Sequence, residues 1–97
     1  MVKHVVMFKF KGTPDERKEV SRKFMEALIQ LPCEIPQLKS IDVGINMNPA
    51  ETWDMVLTAT ADSMEDIAIY SAHPAHQDAV AIIAPFKEDR ACVDYQI

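Results

Sequence analysis

The stretch from Val2 to Lys11 alternates in side-chain character with a period of two, the signature of a β-strand. Val2, His4, Val6, Phe8 and Phe10 share one face; Lys3, Val5, Met7, Lys9 and Lys11 share the other. The first face is apolar apart from His4. The second has an apolar middle, Val5 and Met7, with lysines towards its ends. Such a strand has something to bury on both sides, so it belongs inside a sheet whose two faces are both covered.

The rest of the chain supplies a cover for one face only. Thr13-Pro14-Asp15-Glu16 is a helix start, with Thr13 as cap, Pro14 at the first helical position and Glu16 closing a capping box. Val20, Phe24, Ala27, Leu28 and Leu31 follow at helical spacing, and Pro32 is expected to end the helix. Strands are expected over Leu38 to Asn46 and Trp53 to Ala61. Ser63 caps a second helical region, with Asp66 placed as in a capping box. Pro74 disfavours helical geometry at His73 and starts a further helix, which Pro85 bends or ends. Arg90 to Ile97 is the last expected strand. Trp53 and the six methionines read as core filler.

The order strand, helix, strand, strand, helix, strand is the ferredoxin-like βαββαβ pattern, an α+β fold with an antiparallel four-stranded sheet. Right-handed crossovers put both helical regions on one face. The other face carries Val5, Met7 and Val56, too apolar for open solvent, which predicts a homodimer through the open sheet face.

Ninety-seven residues make one domain, 1–97, with 48% apolar residues for a core. The formal charge is −5, and the basic residues between Lys9 and Lys23 are interleaved with acids, which argues against nucleic acid as a partner. No apolar run approaches the roughly 18 residues of a membrane span. Cys33 and Cys92 form no CxxC and no disulfide framework. With no signal-peptide pattern at the start, the expected location is the cytoplasm.

Four stretches carry a resemblance that covers essentially the whole chain: the opening Val2 to Lys11 with its Val-Lys-His, Leu31-Pro32-Cys33-Glu34-Ile35-Pro36, His73-Pro74-Ala75-His76, and Val93-Asp94-Tyr95. In these the sequence resembles the stress-responsive dimeric α/β-barrel (Dabb) domain family, departing from it at Cys33, where the family often has glycine. The resemblance implies a ferredoxin-like protomer pairing into a dimeric α/β barrel. It implies two kinds of function: plant stress proteins without an assigned reaction, and polyketide cyclases that run a cofactor-free aldol-type ring closure. In those cyclases a tyrosine and a histidine act together, and they fall on Tyr70 and His76 here. The cyclases also carry a large aromatic in the last helix, where this chain has Lys87. Some members hold a magnesium-like cation on backbone carbonyls, which would be those of Pro32, Ile35 and Leu38. The wider dimeric α/β-barrel group adds monooxygenases and lactone isomerases as alternatives.

The residues themselves support a site at the break between the two later helical stretches. His76 is expected in the first turn of the helix from Pro74, whose positive dipole end disfavours imidazolium. A neutral imidazole there can act as a base, and the Tyr70 hydroxyl can stabilise an enolate, so the two are the candidate catalytic pair. His4, Val6, Phe8, Val20, Phe24, Leu57 and His73 are the candidate residues for binding a small, largely apolar carbonyl compound. The competing reading makes the histidines structural, with His73 as a helix cap, in a non-catalytic stress or scaffold protein. His73 and His76, three apart across a proline, are a weak zinc pattern, and no side-chain metal site or other cofactor is expected.

Overall fold

The computed structural model describes residues Met1 to Ile97. Four strands form one antiparallel sheet: β1 (Val2–Phe10), β2 (Ser40–Ile45), β3 (Met55–Ala61) and β4 (Lys87–Gln96), in the order β2-β3-β1-β4. The helices are α1 (Pro14–Leu28), α2 (Met64–Ala72) and α3 (Pro74–Ile83), with a 3₁₀ turn at Leu31–Cys33. This is the ferredoxin-like βαββαβ protomer.

β1 is an interior strand, flanked by β3 and β4, so its alternation sets the two faces of the sheet. Val6 stands opposite Leu57 on one side and Cys92 on the other. Val6, Phe8 and Phe10 are buried with Leu57 and Met55 against Val20, Phe24 and Leu28 of α1, Tyr70 of α2 and Ile83 of α3. The opposite face carries Val5, Met7, Val56, Val93 and Tyr95 with no helix over it; Val93 is 63% exposed and Tyr95 44%.

Local chemistry fixes most element ends. Thr13 and Glu16 exchange both bonds of a capping box at the start of α1. Ser63 Oγ accepts the Asp66 N–H at 3.2 Å, with no return bond, since Asp is one methylene shorter than the Glu that closes such a box.

Several bounds differ from the sequence expectation. α1 stops at Leu28, and Pro32 lies inside the 3₁₀ turn instead of ending the helix. β2 begins at Ser40 because the Leu38 N–H turns back to the Ile35 carbonyl, 3.0 Å away. β3 begins at Met55: the Asp54 carboxylate accepts the Phe10 N–H at 2.7 Å and the Arg17 Nε at 3.2 Å, which makes this residue a clamp before the strand. β4 begins three residues early, at Lys87, because the Lys11 N–H reaches the Phe86 carbonyl at 2.7 Å and extends the pairing. Lys87 therefore belongs to a strand and not to the last helix. The methionines are not core filler as a group: Met55 is buried, but Met47 is 93% and Met64 51% exposed, both in or beside turns that leave them no layer to enter. Trp53 is not core either; it sits beneath the Lys9 ammonium, 4.9 Å from the ring centre.

No helix is long and apolar enough to cross a membrane.

Candidate functional site

A cavity of about 180 Å³ lies between the sheet and the helices, where β1 and β4 pass under the α2–α3 break. Its walls are Val6, Phe8, Phe24, Leu57, Val80 and Ile83; its polar groups are His4, Tyr70, Ser71, His76, Lys87 and Arg90. At about 30 Å³ per water it has room for roughly six waters, so it suits a small ligand.

His76 is set by the break. His73 takes an extended conformation before Pro74, and α3 restarts there with His76 in its first turn. The His76 Nδ1 lies 2.8 Å from the Ser71 carbonyl oxygen. A carbonyl can only accept, so Nδ1 carries the proton and Nε2 keeps its lone pair. Burial lowers the pKa of His76 from its usual 6.5, the Ser71 carbonyl opposes this, and the charges of His4 and Arg90 add to the lowering. The ring is thus a neutral imidazole at pH 7 with a basic nitrogen to spare.

Tyr70 stands between two imidazoles. Its ring centre is 4.6 Å from that of His76 and 6.1 Å from that of His4, edge-on in both cases. The residue is fully buried, yet its hydroxyl has no hydrogen-bond partner in the protein. Burial pushes its pKa up to about 12, partly offset by Arg90, so it is a hydroxyl donor at neutral pH. An unpartnered buried hydroxyl is normally avoided, because it loses about 1–3 kcal/mol of hydration unmatched.

His4 is buried in the centre of the sheet and its Nδ1 hydrogen-bonds Asp94 Oδ1, its cross-strand neighbour on β4. Cys92 Sγ is 3.6 Å from His4 Nδ1 and 3.9 Å from Asp94 Oδ1, so imidazole, thiol and carboxylate converge. These are donor types that a borderline divalent cation takes. In the structure the cluster is held by the hydrogen bond between His4 and Asp94, and burial together with Asp94 raises the Cys92 pKa, which keeps the thiol protonated.

Of the residues singled out from the sequence, His4, Val6, Phe8, Phe24, Leu57, Tyr70 and His76 come together around this cavity. Val20 and His73 do not. Val20 lies a helical turn before Phe24 and faces a separate groove with Ile82 and Phe86. His73 Nδ1 accepts the Ala75 N–H at 3.0 Å, so its ring caps α3, and it does not line the cavity. The carbonyls of Pro32, Ile35 and Leu38 lie in and after the 3₁₀ turn, and that of Ile35 already accepts the Leu38 N–H. Ser71, Val80, Ile83 and Arg90 are wall residues the sequence reading did not name. Arg90, Cys92 and Asp94 alternate with Val93 and Tyr95, and that alternation was the available signal.

A larger cleft of about 430 Å³ lies between the start of α1 and the β2–β3 loop. Arg17 there is engaged with Asp54 and the Gly12 carbonyl, and the cleft holds no histidine or tyrosine.

Comparison with known proteins places this architecture in a family. A family model described as the stress responsive A/B barrel domain matches residues 2–97. The chain is 31% identical over 98 residues to an olivetolic acid cyclase of Cannabis sativa, covering 97% of this chain and 94% of that protein. The chain belongs to the stress-responsive A/B barrel (Dabb) domain family. A crystal structure from Bacteroides fragilis, described as a dimeric protein of unknown function with a ferredoxin-like fold, is 43% identical with a TM-score of 0.95 over 99% of this chain and 95% of that one. A dimeric ferredoxin-like protein of unknown function from Thermobifida fusca is 31% identical with a TM-score of 0.82 over 99% and 90% of the two chains.

Proposed function

We propose that this chain works as a homodimer whose pocket binds a small, largely apolar carbonyl compound and moves a proton on the carbon beside the carbonyl. His76 Nε2 takes the proton. The electron pair of the broken C–H bond delocalises onto the carbonyl oxygen as an enolate, which accepts a hydrogen bond from the Tyr70 hydroxyl. The enolate then regains the proton at carbon from His76 Nε2, or its carbon attacks a second carbonyl of the same molecule, closing a ring while the π bond of that carbonyl opens to an alkoxide that takes the proton from His76 Nε2. No cofactor enters this sequence.

The observation that carries the reading is the fully buried Tyr70 hydroxyl with no partner, on the same cavity as a histidine whose tautomer leaves Nε2 free. A purely structural tyrosine would have found an acceptor. The likeness to a cyclase supports the class of reaction, and the open apolar sheet face together with the dimeric description of the solved relatives supports the assembly. A positioned base contributes about 10²–10⁴-fold and an oxyanion donor about 10²–10³-fold. Apolar walls strengthen both by excluding water.

The test is deuterium exchange at the α-carbon of 4-phenyl-2-butanone in D₂O, followed by proton NMR. Wild-type protein is expected to accelerate exchange over buffer. A wild-type rate equal to that of buffer would remove the catalytic reading. Sedimentation equilibrium is expected to give twice the 11.0 kDa of one chain; a single-chain mass at micromolar concentration would remove the dimer.

A further inference from the structure

We propose that the pocket takes its ligand as an anion, with Lys87 and Arg90 holding a carboxylate or phenolate at the mouth while Tyr70 and His76 face the carbonyl at the inner end. The inference rests on the pocket being a carbonyl-binding site and names the substrate class.

Lys87 and Arg90 are three residues apart on β4, and in a regular strand they would point to opposite faces. The β1–β4 register shifts between Lys9 and Phe10: Phe8 pairs with Arg90, but Phe10 pairs with Lys87, so one residue of β4 is skipped. Phe8 and Phe10 share the inner face, so the irregularity turns both cations towards the cavity. Bulges re-aim side chains in this way. Both line the cavity and both are exposed, which puts them where it meets solvent.

Neither cation has an ion-pair partner. Lys3, Lys9, Lys11 and Lys18 are unpaired as well, so what sets Lys87 and Arg90 apart is that both line one cavity, in a chain with fifteen acidic residues and ten basic ones. Two unpaired cations on one cavity of an acidic protein are a concentrated positive field, strengthened by the apolar walls Phe24 and Ile83 beneath them. The guanidinium can grip a carboxylate with two parallel N–H bonds, and the ammonium adds charge. The same field favours the developing enolate that the Tyr70 hydroxyl would hold.

Calorimetric titration with 3-benzoylpropanoate and with its neutral amide, at low salt, tests this. The acid is expected to bind wild-type protein about tenfold tighter than the amide, a preference that shrinks as salt is added. The double substitution Lys87→Gln with Arg90→Gln is expected to erase the preference and leave the affinity for the amide in place. Arg90→Lys is expected to keep much of it. Each single glutamine variant should lose part of the preference at an unchanged melting temperature, which covers the case of a double variant that folds poorly. Equal wild-type affinities for acid and amide overturn the anion inference and leave the carbonyl pocket standing. Binding of neither compound overturns both. A preference that survives in the glutamine variants overturns the assignment to Lys87 and Arg90.

Discussion

His73 and His76 lie one helical turn apart on either side of the same break, and the structure uses them in opposite ways. His73 offers Nδ1 to a backbone N–H, so Nδ1 is an acceptor and the proton sits on Nε2. His76 offers Nδ1 to a carbonyl, so the proton sits on Nδ1 and Nε2 is the acceptor. One ring satisfies an unpaired donor at a helix start; the other is left with a basic nitrogen on a cavity. What separates a cap from a base here is the backbone group each ring meets, and Pro74 decides that by forcing His73 out of the helix while leaving His76 in its first turn.

The sharpest way to break this contrast is to remove each ring in turn. His76→Ala is expected to lower α-proton exchange by about 10²–10⁴-fold, whereas His73→Ala should leave it within a factor of a few; equal losses in the two variants would mean that neither ring is the base. Tyr70→Phe is expected to lower exchange by about 10²–10³-fold while melting no earlier than wild type, because it deletes a hydroxyl that has no partner. A clear drop in melting temperature for Tyr70→Phe would show that the hydroxyl is structurally bonded.

The reverse signature belongs to His73. Losing a cap costs about 1 kcal/mol, or roughly 4–8 °C in melting temperature for a domain of this size, and His73→Asn should restore most of it by capping with a side-chain oxygen. An uncapped α3 that melts like wild type would contradict the role.

The smallest effect expected is in pH dependence. The folded pKa of His76 lies below its unfolded value of 6.5, so between the two the unfolded chain binds more protons. The stability that depends on a neutral His76 is therefore complete above pH 6.5 and declines as pH falls below it. Urea unfolding at several pH values below 6.5 should show a shallower decline in His76→Gln than in wild type. For the same reason the acidic limb of the exchange rate should fall below the ordinary histidine range.

How much of this was legible in the sequence follows from how local each feature is. The alternation of β1, the Thr13–Glu16 capping box and the restart at Pro74 are short-range patterns, and they stand where expected. Tyr70 and His76 share a cavity because only five residues, one of them a proline, connect them. The β4 wall was legible only as an alternation that groups Arg90, Cys92 and Asp94, and these look like a solvent face until pairing with β1 places Asp94 against His4. Lys87 was misplaced for a related reason: a β-irregularity has no sequence signature of its own, and Pro85 alone does not say where the strand begins. Val20 failed by one helical turn, since an apolar stripe tells which face of α1 is buried but not how far along it the cavity lies.

One feature of β4 bears on how such a protein can change over time. Its odd and even residues serve two separate purposes, Cys92 and Asp94 beside the buried His4, Val93 and Tyr95 on the sheet's other face. A one-residue insertion or deletion within the strand would exchange the two sets at a stroke and damage both surfaces together. Outside the register shift at its start, which already absorbs one unpaired residue, length variation in this strand is costly, and new ligand preferences arise most readily by replacing one inward residue at a time, with the outward ones left as they are.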